Sequence, residues 1–222
     1  QSRGRAPPRH GRLRPRARQV PRVASPPLTG DGEHRLGHAL IASIRSALAS
    51  VAATTAQANK SGPGAALVTV AEGRFFSNGL DIGWAGTSRA KLRELVAALR
   101  PVAADLLALP MPTVAALTGH ASAGGFLLTL GHDYRVMRAD HGVLYMSEVD
   151  IGLPLPPYFM AVLRAKISSA QALRDVVLHG RQLRAPEAKE MGVVDVVCPG
   201  AKEMGVVEES DEEKARNFAS KL

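Results

Sequence analysis

The alternation of short apolar runs with helical stretches is the feature of this sequence that most constrains its fold. Residues 65–70 and 113–117 form two mainly apolar runs of strand length, which is typical of strands buried on both faces. Between them, Leu and Val residues recur from Leu92 to Leu106 at the spacing of one helical face. Strands that alternate with helices predict an α/β domain with a largely parallel sheet.

The same patterns place the other elements. A helix is predicted from Leu36 onward, residues 72–88 are predicted to be a loop, and residues 119–125 are predicted to be a turn of small residues. The remaining predicted strands lie at 134–137, 143–146 and 193–197, and the remaining predicted helices at 126–130, 157–165, 168–178 and 185–191.

The positive charge of the chain is confined to its first residues. The chain has 28 Lys and Arg against 20 Asp and Glu, and residues 1–22 contain eight arginines and no acid, so residues 23–222 carry 20 of each sign. We therefore predict a disordered Arg/Pro-rich tail at 1–27, a domain at 28–199 and a charged tail at 200–222. The arginine-rich tail could bind nucleic acid or act as a transit peptide, but aromatic residues are only 4% of the chain and we expect no nucleic-acid partner.

Composition also excludes several kinds of site. A single cysteine, Cys198, excludes a disulfide scaffold and a multi-cysteine metal site. No apolar run approaches the roughly 18 residues of a membrane-spanning helix, so no membrane span is expected. We find no metal-ligand spacing and expect no metal.

Two glycine-bearing turns are candidates for a site. Residues 75–82 and 119–126 each follow a predicted strand and precede a helical stretch. Such turns can direct free backbone N–H groups into one cavity, as the oxyanion of a thioester requires. Each turn taken alone is weak evidence and favours a purely structural role.

Glu148 is the candidate acid or base. It lies in an apolar stretch, residues 147–154, directly after a predicted strand. Burial raises the pKa of a carboxyl group and makes it a plausible base near neutral pH. The alternative is a surface glutamate at the end of a strand.

Taken together, these segments resemble the crotonase (enoyl-CoA hydratase/isomerase) superfamily, and within it the 3,2-enoyl-CoA isomerases of plant peroxisomes. The motif F-S-x-G-x-D matches residues 76–81, and G-x-A-x-G-G-G matches residues 119–125 with Ala123 in place of one glycine. The family's glutamate segment matches residues 148–154. The resemblance implies a ββα spiral with layered sheets and surrounding helices, here with the C-terminal helical part truncated.

The resemblance also implies roles for particular residues. The oxyanion donors would be the backbone N–H groups of Leu80 and Gly124, and Glu148 would be the catalytic base. Hydratases of the family carry a second glutamate where this chain has Leu127, so the resemblance favours isomerisation over hydration. The residues implied to bind substrate are Ser77, Asn78, Gly79, Asp81, Ile82, Gly125 and Leu127.

The activity implied is isomerisation of 3-enoyl-CoA to 2-trans-enoyl-CoA in the β-oxidation of unsaturated fatty acids. The coenzyme A thioester would be the substrate, no resident cofactor is implied, and the family's homotrimer is a possible assembly. The alternative is a truncated, inactive crotonase-fold protein that binds acyl-CoA or joins full-length relatives.

The sequence ends with Ser220, Lys221 and Leu222. This tripeptide at a C-terminus is an address read by the peroxisomal import receptor. We therefore expect that receptor as a partner and the peroxisome as the location.

Overall fold

A computed structural model describes residues 22–24, 32–58 and 66–200 of the chain. The strands are β1 (Arg22–Ala24), β2 (Ala66–Val70), β3 (Phe75–Ser77), β4 (Thr113–Leu117), β5 (His120–Ser122), β6 (Tyr134–Arg138), β7 (Leu144–Tyr145) and β8 (Val196–Cys198). The helices are α1 (His38–Ala58), α2 (Ile82–Ala85), α3 (Arg89–Leu107), α4 (Gly124–Leu130), α5 (Pro157–Lys166), α6 (Ala170–Val177) and α7 (Ala185–Glu190).

The strands form two parallel sheets. One has the order β1-β2-β4-β6-β8 and the other has the order β3-β5-β7. Each strand from β2 to β7 is followed by a strand of the other sheet or by helices, so the chain repeats a strand-strand-helix unit as it winds. This arrangement confirms the predicted α/β class and the ββα spiral.

Burial on both faces explains why the apolar run at 113–117 forms a central strand. All of β4 is buried, and Ala115 and Leu117 face the large core while Val114 and Ala116 face a smaller cluster that includes Cys198. A strand buried on both faces needs apolar residues on both faces, and every residue of β4 after Thr113 is apolar.

Helix α3 follows the predicted periodicity closely. The Ser88 hydroxyl caps its first turn by accepting a hydrogen bond from the Lys91 N–H at 3.3 Å. Leu95, Leu99 and Leu106 are buried on one face. This face packs against the core and holds α3 beside the turn that precedes α4.

One boundary was predicted wrongly at the amino end. The disordered tail was expected to extend to residue 27, but Arg22–Ala24 form β1, which pairs in parallel with Ala66–Val68 of β2. An edge strand uses backbone groups on one side only, so the prolines that surround this segment do not prevent three residues from pairing. Residues 1–21 and 201–222, which include most of both predicted tails, lie outside the described residues.

Two strands of the smaller sheet, β3 and β5, and the short helix α2 were also missed, whereas the strand predicted at 143–146 is β7. The predicted loop at 72–88 contains β3 and α2, and the predicted turn at 119–125 contains β5. The last strand lies at 196–198 rather than 193–197, because Val193 and Val194 are buried in the core before the strand begins. Strands of two or three residues leave no periodic signal in a sequence.

No helix among the described residues has both the length and the apolar character that a membrane crossing requires.

Candidate active site

The smaller sheet brings three segments together at one edge. Strands β3, β5 and β7 run in parallel, so their carboxyl ends lie on the same side of the sheet. Leu80 follows the end of β3, Gly124 follows the end of β5, and Glu148 follows the end of β7, each within three residues. The three residues that the resemblance singles out therefore lie on one edge.

The first two segments are in direct contact. A methyl group built on Gly79 would lie 2.9 Å from the Cβ of Ala123 and 3.3 Å from the backbone nitrogen of Gly124. A methyl group built on Gly124 would lie 3.6 Å from the Cγ of Leu80. Glycine at position 79 is required both by this close approach and by its φ of +78°.

The segment that precedes α1 pairs with residues 78–81, the first of the two glycine-bearing turns, but leaves the N–H group of Leu80 without an acceptor. Leu36 pairs with Leu80 in a parallel bridge, in which the Leu36 N–H donates to the Gly79 carbonyl at 2.8 Å and the Asp81 N–H donates to the Leu36 carbonyl at 3.3 Å. In such a bridge the N–H of Leu80 itself points to the other side. It has no hydrogen-bond acceptor among the described residues and is available to a ligand.

The second turn also leaves an N–H group free. Gly124 is the first residue of α4, and the first N–H groups of a helix have no acceptor within the helix. The preceding Ala123 N–H is already used, because it donates to the Tyr145 carbonyl of β7 at 2.8 Å. Leu80 and Gly124 thus offer two backbone donors from turns that are in contact, and oxyanion holes are commonly built from backbone donors.

Glu148 lies on the third segment, in a short 3₁₀ helix at Ser147–Val149. Only 9% of the residue is exposed, and in the part of the chain that the structure describes its Oε2 atom has no hydrogen-bond partner. Burial raises the pKa of this carboxyl group above its ordinary value. A buried carboxylate without a partner is costly to the fold, which is typical of a group kept for chemistry.

Tyr158 borders the same region. Its hydroxyl donates to the Val96 carbonyl of α3 at 2.8 Å, which ties α5 to α3. Burial raises the pKa of Tyr158; the positive charge of Arg100 opposes this shift, and the negative charge of Glu148 adds to it. The tyrosine therefore lies within electrostatic reach of the buried carboxylate.

Several residues that the resemblance assigns to substrate binding hold the turns in place. The Ser77 hydroxyl donates to the His34 carbonyl at 2.8 Å, and the Asp81 carboxylate caps α2 by accepting from the Trp84 N–H at 3.0 Å. A methyl group on Gly125 would lie 2.3 Å from the Ser77 carbonyl oxygen, so Gly125 allows α4 to approach β3.

The other assigned residues differ in exposure. Ile82 is 47% exposed at the start of α2, whereas Leu127 is 1% exposed within α4. Asn78 is half-buried, and its side chain bonds to Glu33 and Ser122. Sequence reasoning gave no role to Glu33 or Ser122, since neither residue type nor spacing shows that their side chains meet Asn78.

Among the described residues, no group of three or more His, Cys, Asp or Glu side chains could hold a metal ion.

Comparison with known proteins places the chain in a family. Residues 39–220 match the model of the enoyl-CoA hydratase/isomerase family. The chain therefore belongs to this family.

Individual relatives agree with the family match. The chain is 49% identical over 174 residues to enoyl-CoA delta isomerase 2, peroxisomal, of Arabidopsis thaliana, which covers 76% of this chain and 70% of that protein. It is 46% identical over 172 residues to enoyl-CoA delta isomerase 3 of the same plant, with the same two coverages. Among solved structures, it resembles an enoyl-CoA hydratase from Bacillus anthracis with a TM-score of 0.69 and 26% identity, which covers 86% of this chain and 68% of that chain.

The backbone conformation of Ala123 predicts how a glycine at this position would change the free energy of unfolding. Its φ of +50° and ψ of −123° are strained for a residue with a Cβ atom. We expect Ala123→Gly to raise the free energy of unfolding by about 0.5–1 kcal/mol, because the relieved strain exceeds the entropy that glycine adds to the unfolded chain. Urea unfolding measures the change.

Ala97→Gly is the matched control, because Ala97 is exposed in the interior of α3. We expect this control to lower the free energy of unfolding by about 0.5–1 kcal/mol. A loss of similar size in Ala123→Gly would contradict the assignment of strain to the second turn.

Proposed function

We propose that this chain is an enoyl-CoA isomerase that converts 3-enoyl-CoA to 2-trans-enoyl-CoA by a 1,3-proton shift at Glu148. The observation that carries the proposal is a buried carboxylate with an unpartnered oxygen, on the same sheet edge as two free backbone N–H groups. The names of the Arabidopsis relatives support the same class of reaction.

The chemistry follows from where charge develops. The N–H groups of Leu80 and Gly124 donate to the thioester carbonyl oxygen, which makes the protons on C2 of the substrate more acidic. The Glu148 carboxylate takes one C2 proton, and the electron pair left behind spreads over C2, C3, C4 and the carbonyl oxygen as a dienolate. The protonated Glu148 then returns the proton to C4, which leaves the double bond between C2 and C3.

Each part of the site matches one requirement of this path. The raised pKa of Glu148 makes it a stronger base than an exposed glutamate and lets it hold the proton between the two transfers. The coenzyme A thioester enters as the substrate and needs no resident cofactor for a proton shift. Loss of one oxyanion donor typically costs about 10²–10³-fold in rate, so the two turns contribute as much as the base.

Leu127 supports isomerisation over hydration. It lies in α4, three residues after Gly124, and is 1% exposed. An apolar side chain cannot orient a water molecule or take its proton. Addition of water to the double bond would need a second polar group to activate that water.

Replacement of the base is the direct test. We expect Glu148→Gln to lower kcat for a 3-enoyl-CoA by at least about 10³-fold, because the amide cannot accept the C2 proton. We also expect its melting temperature to be higher than that of the unmodified chain, because an ionised carboxylate is costlier to bury than an amide. Absorbance of the conjugated product and thermal unfolding give the two measurements.

Glu190→Gln is the matched control, since Glu190 is exposed at the end of α7. It should change neither rate nor melting temperature. Equal conversion by the Glu148 and Glu190 variants would exclude Glu148 as the base. Binding of acyl-CoA by the unmodified chain without any turnover would instead support a role limited to acyl-CoA binding.

The pH dependence of the reaction gives a second test. The carboxylate form of Glu148 is the active form, and burial raises its pKa above the ordinary value of about 4.3. We therefore expect kcat/KM to fall with decreasing pH through an apparent pKa higher than that value, and to be constant above it until another group titrates. If kcat/KM instead falls with an apparent pKa at or below the ordinary value of a glutamate, Glu148 is solvated in the working enzyme.

We further propose that the protein acts in the peroxisome and is recognised by the peroxisomal import receptor. The name of enoyl-CoA delta isomerase 2 of Arabidopsis thaliana includes this location. Ser220, Lys221 and Leu222 have the sequence of a peroxisomal address but lie outside the described residues. We expect a fluorescent protein fused ahead of the chain to accumulate in peroxisomes, and to remain in the cytosol when Leu222 is replaced by Asp.

A further inference from the structure

The two oxyanion turns are held by different parts of the fold. The first turn, residues 78–80, bonds to the segment that precedes α1: the Asn78 N–H donates to the Glu33 carbonyl at 2.8 Å, next to the bridge between Leu36 and Leu80. The second turn bonds to β7 through the Ala123 N–H. The spacing of the two turns is therefore not set by their own backbone supports.

The backbone ladder between β3 and β5 ends before the turns begin. Its last pair is Ser77 with Ala121, and the register shifts between Phe75 and Ser77. A shifted register leaves one residue of a strand without a partner. The backbone hydrogen bonds then hold the residues that follow less firmly in position. Beyond this pair, the distance between the N–H groups of Leu80 and Gly124 depends on contacts between the two turns themselves, which include the close packing of Gly79 against Ala123.

A side-chain hydrogen bond joins the two turns. The Ser122 hydroxyl, at the end of β5, donates to Asn78 Oδ1 at 2.7 Å. Among the described residues this is the hydrogen bond that joins residues 78–81 to residues 122–125. It connects the residue two positions before Leu80 with the residue two positions before Gly124.

Asn78 is fixed on its other side by Glu33. The Asn78 Nδ2 group donates to Glu33 Oε2 at 3.0 Å, and the same carboxylate pairs with Arg35. An amide bonded to a carboxylate through its nitrogen must turn its oxygen away, and that oxygen is what the Ser122 hydroxyl meets. The backbone and side-chain bonds to Glu33 together hold Asn78 in one orientation.

We propose that Ser122, Asn78 and Glu33 form a clamp that sets the spacing of the two oxyanion donors. Ser122 and Asn78 are positioning residues: they act on the thioester oxygen through Leu80 and Gly124. The inference rests on the proposed function, because it assigns those two N–H groups to the developing enolate. Donors aimed at such a charge lose effect steeply when they are displaced, so the clamp should matter more to kcat than to substrate binding.

Removal of the Ser122 hydroxyl tests the clamp. We expect Ser122→Ala to lower kcat for a 3-enoyl-CoA by about 10-fold and to change KM by less than about twofold. Ser122→Thr keeps the hydroxyl and should retain most of the rate. Ser50→Ala is the matched control, because the Ser50 hydroxyl bonds only the Ser46 carbonyl on the exposed face of α1, at 3.0 Å, and its loss should leave kcat unchanged.

A double-mutant cycle separates the clamp from independent losses. If Ser122 and Asn78 act through one bond, the variant that carries both Ser122→Ala and Asn78→Ala should be no slower than Asn78→Ala alone. If the rate loss of the double variant equals the product of the losses of the two single variants, the proposal is overturned. A Ser122→Ala variant as fast as the unmodified chain would overturn it as well.

Amide chemical shifts provide a readout that does not depend on turnover. In Ser122→Ala the backbone N–H resonances of Leu80 and Gly124 should move, whereas in Ser50→Ala they should not. A chain that converts no 3-enoyl-CoA but shows these shifts would refute the proposed reaction and leave the clamp supported. Unmoved Leu80 and Gly124 resonances in Ser122→Ala would overturn the clamp whatever the activity.

Discussion

Parallel pairing of three very short strands is the constraint on which the rest of the site depends. Because β3, β5 and β7 run in the same direction, the chain leaves all three at one edge, which carries two backbone N–H groups and one buried carboxylate. These strands have two or three residues each, too few to be stable alone. They are held by the larger sheet and by the buried helices that connect the two sheets.

The segment before α1 completes the first turn in a specific way. It accepts or donates hydrogen bonds at Asn78, Gly79 and Asp81 but leaves the Leu80 N–H free. Most buried backbone groups in a folded protein are paired, so an N–H group left without an acceptor has a cost. Burial of apolar side chains in the core offsets this cost. Leu36, Leu99 and Leu127 are almost fully buried around the turns.

Glu148 shows the same balance between stability and function. Its neighbours in the sequence are partly exposed, yet its own side chain is buried and one oxygen has no partner. A salt bridge would stabilise the carboxylate but would lower its pKa, whereas the proposed role as a base needs a raised pKa. Within the described residues, the ion pairs of Arg45, Arg135 and Arg138 are made with other carboxylates and not with Glu148.

The sequence by itself determined the long elements, and its motifs pointed to the candidate site residues. Helices α1 and α3 and the central strand β4 follow from apolar spacing, which is a local signal. Leu80, Gly124 and Glu148 are implied by the resemblance of three short motifs, in order, to the family. Only the tertiary structure decided that Arg22–Ala24 form an edge strand, that the Leu80 N–H is free, and that Ser122 reaches Asn78. These features depend on contacts between residues more than forty positions apart along the chain, which no local pattern records.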